Sequence, residues 1–170
     1  MWGLAKRWRW ALGGGALLVV AGVVTAALWP SPAPTPYRPP TRARAYNALT
    51  FCLLTGPQGV ANQSAAPVWS GVEAASRATS DQAEFLAASA PVETVSAVTP
   101  FVNSLVQQHC GVVIAVGPVE VASAQAVAAA NTGIDFVLAG GGSAAANVSV
   151  VSDVSSGSVA SAVEAYAKSN

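Results

Sequence analysis

The stretch ALTFCLLTGPQGVANQSAAPVWSGVEAA, from Ala48 to Ala75, decides the fold of this chain. It begins with a run from Leu49 to Leu54 that is apolar except for Thr50, and this run is followed by a Gly-Pro turn and a polar loop. Beyond the loop, apolar residues recur at helical spacing from about Pro67. A short apolar run is typical of a strand buried on both faces, and the later spacing is typical of an amphipathic helix. The stretch therefore predicts a strand, a loop and a helix in immediate succession.

The remaining domain repeats this alternation of strand-like and helix-like segments. Further strands are predicted at Glu84 to Ala88, Val112 to Val116, Ile134 to Leu138 and Asn147 to Ser152. Further helices are predicted from a cap at Ser96 or Thr99 with Pro100 in the first turn, from Val119 to Asn131, and from Ser158 to Lys168. Such alternation favours right-handed crossovers. We therefore expect an α/β fold, a flavodoxin-like open parallel sheet of about five strands in the order 2-1-3-4-5 with helices on both faces.

The N-terminal segment has the pattern of a membrane anchor. Residues 1–10 include Lys6, Arg7 and Arg9, whereas residues 11–29 contain no charged side chain. A helix over residues 11–29 would rise about 28 Å, which is close to the thickness of the hydrocarbon layer of a bilayer. The alternative is a cleaved secretory signal, whose apolar region is usually about 7–15 residues long. We favour an uncleaved, single-pass transmembrane helix with a cytoplasmic N terminus.

A proline-rich linker separates this predicted anchor from the domain. Residues 30–46 contain six prolines, which favour an extended polyproline II spacer. Residues 47–170 then form a single domain, which the orientation of the anchor places outside the cytoplasm. From residue 45 onward, two basic and eight acidic residues give a net charge of 2 − 8 = −6. Binding to nucleic acid requires clustered cations, so we expect no nucleic-acid partner.

The two cysteines fall on strands that should be neighbours. Cys52 lies inside the first strand and Cys110 just before the third, and their registers differ by about three residues, or roughly 10 Å. A disulfide joins Cα atoms only about 4.4–6.8 Å apart, so the chain at Cys110 must bend back if the bond forms. We expect the bond in an extracytoplasmic domain, with two free thiols as the alternative. His109 and two cysteines are too few for a zinc site, and we expect no metal.

The sequence offers little support for catalysis. The run Gly140-Gly141-Gly142-Ser143 lacks the spacing of nucleotide-binding loops and has no Lys or Arg nearby, so a turn is favoured and no cofactor is expected. There is no G-x-S-x-G motif, and the single histidine has no evident acidic partner. The carboxylates are scattered and are expected mostly on solvated helix faces. We therefore expect a protein that is not an enzyme.

Four short matches resemble the basic membrane lipoprotein family of extracytoplasmic solute-binding proteins, which have the type I periplasmic-binding fold. They are Leu53 to Gly56, Asn62-Gln63 with Trp69 to Gly71, Val112 to Gly117, and Ile134 to Val137. The similarity covers about residues 48–169 and amounts to one lobe. The family loop reads Asp-Lys-Ser-Phe-Asn-Gln, where the acid and the aromatic help to hold a nucleoside-like ligand. Residues 58–63 match it only in their last two positions.

A function follows from this resemblance and from the predicted sheet. Ligands of open α/β sheets bind outside the carboxyl ends of the strands. The candidate ligand-binding residues are Thr55, Gln58, Asn62, Gln63, Gly117 and Gly140. The resemblance implies a membrane-anchored binding protein, similar to one lobe of an ABC-transporter solute-binding protein. Its expected ligand is a small polar molecule, for which a nucleoside-like compound is one candidate, and its expected partner is a second lobe or a transporter. The alternative is a ligand-free cell-surface module that pairs with another protein or lobe.

Overall fold

A computed structural model describes residues 46–169. The predicted cytoplasmic segment 1–10, the predicted anchor 11–29 and all of the predicted linker except Tyr46 lie outside these residues. Among residues 46–169, no helix is long and apolar enough to cross a bilayer. The single-pass anchor therefore stays a prediction from sequence.

The described chain folds into a parallel sheet with helices on both faces. The strands are β1 (Thr50–Thr55), β2 (Gln82–Ala87), β3 (Val112–Val116), β4 (Asp135–Ala139) and β5 (Val148–Val151). The helices are α1 (Ala65–Thr79), α2 (Val95–Gln107), α3 (Pro118–Ala128) and α4 (Ser156–Ser169), and a short 3₁₀ turn covers Gly59–Ala61. The strand order is β2-β1-β3-β4-β5, and all four pairings are parallel, which confirms the predicted topology.

The side chains of β1 enter two apolar layers, one on each face of the sheet. Phe51 and Leu53 pack with residues of α1 and α4 on one face of the sheet. Cys52 and Leu54 pack with residues of α2 and α3 on the other face. All four of these side chains are completely buried. This two-sided burial explains why every residue from Phe51 to Leu54 is apolar, instead of apolar and polar residues alternating.

Helix α2 begins earlier than the sequence indicated. Its N-cap is Thr94, whose extended backbone lets the side chain accept a hydrogen bond from the Ala97 N–H at 3.3 Å. The prediction that Ser96 or Thr99 caps this helix is therefore wrong, and Pro100 lies in the second turn instead of the first. Thr99 instead donates its hydroxyl to the Val95 carbonyl oxygen at 2.7 Å, inside the helix.

The end of α2 bends the chain back to form the expected disulfide. His109 has a left-handed backbone (φ 61°), and the N–H groups of His109 and Cys110 donate to the carbonyls of Val106 and Leu105. These two bonds are the signature of a Schellman cap. Cys52 pairs in register with Val113, three residues beyond Cys110, as the sequence predicted. The turn nevertheless brings the Cα atoms of the bonded cysteines to 5.9 Å.

A short connection joins β4 to β5 without a helix. Asn147, at the end of this connection, is buried, and its side-chain N–H₂ lies 3.0–3.1 Å from the carbonyl oxygens of Ala128, Asn131 and Ile134. One amide therefore ties β5 to the end of α3 and to the start of β4. These contacts hold the edge strand in register without the support of a crossover helix.

Helices α1 and α4 approach each other closely at Gly71. A Cβ atom at Gly71 would lie 2.6 Å from the carbonyl oxygen of Ser156 and 2.8 Å from the Cβ of Val159. Both distances are shorter than van der Waals contact. The helix pair is therefore built around the absence of a side chain at this position.

We predict that Gly71→Ala lowers the free energy of unfolding by about 1–3 kcal/mol, because the added methyl group forces the two helices apart. Gly157→Ala is the matched control, since a Cβ at Gly157 in α4 meets no atom within 4 Å. The control should leave stability unchanged or slightly raised. Urea denaturation monitored by circular dichroism measures both variants, and equal losses for the two would contradict the packing argument.

We also predict that the double variant Cys52→Ala/Cys110→Ala lowers the free energy of unfolding by about 2–5 kcal/mol. The bond closes a loop between residues 58 positions apart, which restricts the unfolded chain. Denaturation of the oxidised protein, the reduced protein and the double variant tests this prediction. The reduced protein should resemble the double variant, and a reduced protein as stable as the oxidised one would be inconsistent with it.

Candidate functional site

The carboxyl ends of β1 and β3 mark the point where the chain leaves the sheet in opposite directions. From β1 the chain passes to α1, which packs on the layer of Phe51 and Leu53. From β3 it passes to α3, which packs on the layer of Cys52 and Leu54. Adjacent parallel strands with crossovers to opposite faces leave a crevice between their loops. The sheet therefore places a crevice at the position expected from the strand order.

Two adjoining cavities occupy this edge of the sheet. The larger, of about 590 Å³, lies against the loops after β3 and β4 and against α3. The smaller, of about 250 Å³, lies against the loop after β1 and the start of α3. Both are lined by Ser64, Val116, Gly117 and Pro118. We refer to the two cavities together as the carboxyl-end crevice.

Four of the six predicted ligand-binding residues line the carboxyl-end crevice. Gln58 and Asn62 line the smaller cavity, Gly140 lines the larger one, and Gly117 lines both. Gln63 is exposed and lines neither. Thr55 is completely buried, and its hydroxyl lies 3.2 Å from the Gly56 carbonyl oxygen and 3.5 Å from that of Leu86. Thr55 thus supports the junction of β1 and β2, and a role for Gln63 and Thr55 in ligand binding remains a prediction.

The loop after β1 is held by its own polar side chains. Asn62 donates from Nδ2 to Oε1 of Gln58 at 3.0 Å. Its Oδ1 accepts from the backbone N–H of Ser64 at 2.9 Å and from the Ser64 hydroxyl at 2.7 Å. Asn62 is therefore engaged within the loop, whereas the side-chain N–H₂ of Gln58 has no partner in the described chain. Gln58 offers the smaller cavity a hydrogen-bond donor.

The glycine-rich turn after β4 is fixed by α3. Gln125 pairs with the backbone of Ser143, accepting from its N–H at 3.2 Å and donating to its carbonyl at 3.3 Å. Gly140 and Gly142 have positive φ values of 86° and 93°, which side chains rarely allow. The turn therefore forms a defined wall of the larger cavity. The sequence indicated a turn here but not its position in a cavity wall.

Glu120 is the feature of this site that the sequence analysis missed. It belongs to the first turn of α3, yet only 4% of its surface is exposed. Its carboxylate lies between the ends of β1 and β3, and Cβ atoms at Gly56 or Gly117 would contact it, the former at 3.4 Å from Oε1. A glutamate in the first turn of a helix usually faces solvent. The sequence signal that could have indicated a buried side chain here is the Gly-Pro pair that follows both β1 and β3. The two glycines leave room for a side chain between the ends of these strands.

The surroundings of Glu120 disfavour its ionised form. Burial raises the pKa of its carboxyl above the usual 4.5, and the nearby charge of Glu93 acts in the same direction. A hydrogen bond from the backbone N–H of Glu120 opposes these effects, as a helix N terminus does in general. Because the net pKa is raised, the crevice holds a carboxyl group that is costly to ionise in the folded protein.

A second carboxylate at the same edge behaves differently. Asp153 follows β5 and accepts hydrogen bonds from the hydroxyls of Ser158 at 2.8 Å and Ser155 at 3.0 Å. These bonds, that of Ser158 foremost, lower the pKa of the exposed Asp153 carboxyl. Asp153 therefore holds the hydroxyls of Ser155 and Ser158 in place at the start of α4. Its neighbour Val154 lines the larger cavity.

The disulfide lies against a carboxylate on the edge strand. One oxygen of Glu84 is 3.2 Å from the sulfur of Cys52 and 3.8 Å from that of Cys110. These three side chains have atoms close enough together to share a metal ion. The sulfur atoms are bonded to each other, however, so they can neither coordinate a metal as thiolates nor donate a proton. The cluster is therefore a structural contact in the oxidised protein.

Comparison with known proteins shows a likeness of fold. No family model matches the chain, and no curated protein does either. The fold is similar to that in a crystal structure of a "putative lipoprotein" fragment from Peptoclostridium difficile 630, with a TM-score of 0.59 and 14% sequence identity. The match covers 69% of this chain and 98% of the other chain. At this identity, the likeness shows that the two chains share an α/β architecture.

We predict that Glu120→Gln stabilises the folded protein at neutral pH. Because the folded-state pKa is raised above the unfolded value of about 4.5, ionisation of Glu120 costs stability as the pH rises through the folded-state pKa. A neutral glutamine of the same shape avoids this loss. The unfolding midpoint should therefore rise at pH 8 and change little at pH 4.

Glu73→Gln controls for the loss of one negative charge, because Glu73 lies partly exposed on α1 beside Arg77. Thermal unfolding of both variants at the two pH values makes the comparison. A gain for Glu120→Gln that is equally large at pH 4 and pH 8 would mean that burial of the charge is not the cause.

Proposed function

We propose that the chain is a membrane-anchored, extracytoplasmic binding protein that holds a small polar ligand in the carboxyl-end crevice. In this role it resembles one lobe of an ABC-transporter solute-binding protein. The observation that carries the proposal is the crevice at the point where β1 and β3 send their helices to opposite faces. This is where ligands of open α/β sheets bind.

The size and chemistry of the carboxyl-end crevice support this proposal. Ligand pockets usually enclose about 300–1,000 Å³, and the larger cavity falls in that range at about 590 Å³. Val121, Val154 and Pro118 line it with apolar surface, and Gln58 in the adjoining cavity adds a polar group. The basic membrane lipoprotein family, which the sequence resembles, has an aromatic residue that stacks on the ligand where this chain has Ala61. Recognition here would therefore depend on hydrogen bonds rather than on stacking. His109, the one histidine of the described chain, precedes β3 and does not line either cavity of the crevice.

The proposed location depends on features of several kinds. The uncharged stretch 11–29 and the proline-rich residues 30–46 are typical of an anchor and a stalk. The disulfide between Cys52 and Cys110 suits an oxidising compartment. The structurally similar chain is described as a lipoprotein, which is consistent with a domain attached to a membrane surface. Together these features favour the outer face of a membrane.

A second candidate is an interaction module that pairs with another lobe. Val92 and Val95 lie within two residues of Glu93, which lines the smaller cavity, and are 65% and 40% exposed. A second protein surface seated here would cover these side chains and close the crevice. Size-exclusion chromatography with light scattering on the full chain in detergent tests this candidate. A strictly monomeric protein that still binds a small molecule would favour the first proposal.

We predict that Gly141→Leu abolishes or weakens ligand binding at least about tenfold, a change of about 1.4 kcal/mol. Gly141 lines the larger cavity and a Cβ there meets no atom within 4 Å, so the added side chain can enter the cavity without disturbing the fold. The full chain in detergent is screened by thermal shift against nucleosides, amino acids and sugars. Compounds that bind are then titrated calorimetrically.

Gly133→Leu is the matched control, because Gly133 also has open space and lies in the loop before β4, at the amino-terminal edge of the sheet. It should leave binding unchanged. The proposal fails if no compound in the screen binds the wild-type protein, or if the two variants weaken binding equally.

A further inference from the structure

We infer that the carboxyl-end crevice takes its ligand by a cationic group, an ammonium or a guanidinium, which pairs with the carboxylate of Glu120. The inference rests on the proposed function and names the chemical class of the ligand. It comes from three observations on the described chain: the placement of Glu120, the charges around it, and the shape of the two cavities.

Glu120 is built into the crevice rather than exposed beside it. Gly56 and Gly117 both lack the side chain that would contact its carboxylate. Glu120 itself lines the smaller cavity together with Gln58. The end of each flanking strand thus leaves space for this one carboxylate, which faces the cavity from a buried position. A group that enters the smaller cavity would meet the carboxylate directly.

The protein supplies no cation to this carboxylate within residues 46–169. Arg77 lies 3.9 Å from Glu73 on α1, and Lys168 lies 3.5 Å from Glu164 on α4. Neither basic side chain lines the crevice, whereas a second carboxylate, that of Glu93, does. A buried charge without a partner is strongly disfavoured. A ligand cation would provide the missing partner, and an anionic ligand would be repelled by both carboxylates.

The two cavities suit different parts of one ligand, a charged head group and a partly apolar body. The smaller cavity, of about 250 Å³, is lined by both Glu93 and Glu120 and suits a compact ammonium or guanidinium head. The larger one, with Val121 and Val154 among its lining residues, suits an alkyl chain or ring. The amide of Gln58 can bind a polar atom next to the head. The expected ligand class is therefore a small amine or guanidine with a partly apolar body.

Three probes with the same five-carbon chain test the charge requirement. They are 1,5-diaminopentane, 1,5-pentanediol and glutarate, which differ in carrying cationic, neutral and anionic ends. Isothermal titration of the full chain in detergent should show the diamine binding at least about tenfold more tightly than the diol, with no binding of glutarate. A diamine that binds no more tightly than the diol would overturn the inference.

Two variants test whether Glu120 is the residue that causes the preference for a cationic ligand. Glu120→Gln, which keeps the size of the side chain, should weaken diamine binding at least about tenfold, also at 0.5 M NaCl, where interactions between exposed charges are screened. Glu73→Gln removes an equal charge from a partly exposed site outside the crevice and should leave the affinity unchanged. Unfolding midpoints of both variants are measured first, so that a loss of binding is not a loss of fold. Equal weakening by the two variants would contradict the assignment to Glu120.

The outcomes also separate this inference from the proposed function. Neutral compounds that bind and are blocked by Gly141→Leu, together with no preference for the diamine, would leave the proposed function standing and reject the inference. A failure of every compound, charged or neutral, to bind the wild-type protein would reject both. Diamine binding that is lost in Glu120→Gln and blocked by Gly141→Leu would support both.

Discussion

The burial of β1 on both faces is the constraint on which the rest of the structure depends. Phe51 and Leu53 require an apolar layer on one side of the sheet, and Cys52 and Leu54 require one on the other. A strand in this position must have helices above and below it and a neighbouring strand on each side. Strands β2 and β3 provide those neighbours. The central place of β1, the two layers and the crevice at its carboxyl end all follow from this requirement.

The functional proposal depends on the crevice, where β1 and β3 are followed by the same two residue types. Each strand is followed by a glycine and a proline, Gly56-Pro57 after β1 and Gly117-Pro118 after β3. The glycines leave room for the carboxylate of Glu120, whose burial raises its pKa and destabilises its charged form. A fold selected only for stability would not need this carboxylate. Its cost is consistent with a role in binding, which offsets the cost when a ligand cation is present.

Much of this architecture could be predicted from the sequence, because apolar runs and Gly-Pro stops are local signals. The range of β3 was predicted without error, and the disulfide and the strand order are confirmed. The cap of α2 was misassigned because Ser96, Thr99 and Thr94 all have side chains able to cap, and only the backbone geometry selects Thr94. Glu120 was missed because its burial depends on two glycines that are distant in sequence. The complete burial of Thr55 and the contact of its hydroxyl with the Leu86 carbonyl could not be read from the sequence, because both depend on the pairing of β1 with β2.

Amide chemical-shift mapping tests the central claim most directly, because a cavity of about 690 Å³ at the opposite edge, near Asp81 and Lys168, is the rival site. The isotopically labelled full chain in micelles is titrated with a compound that binds. The account predicts that the largest shifts fall on three loops, at residues 56–62, 117–120 and 140–142. Shifts centred on residues 47–49, 78–81 and 167–168 would contradict it, because they would place the ligand at the amino ends of the strands.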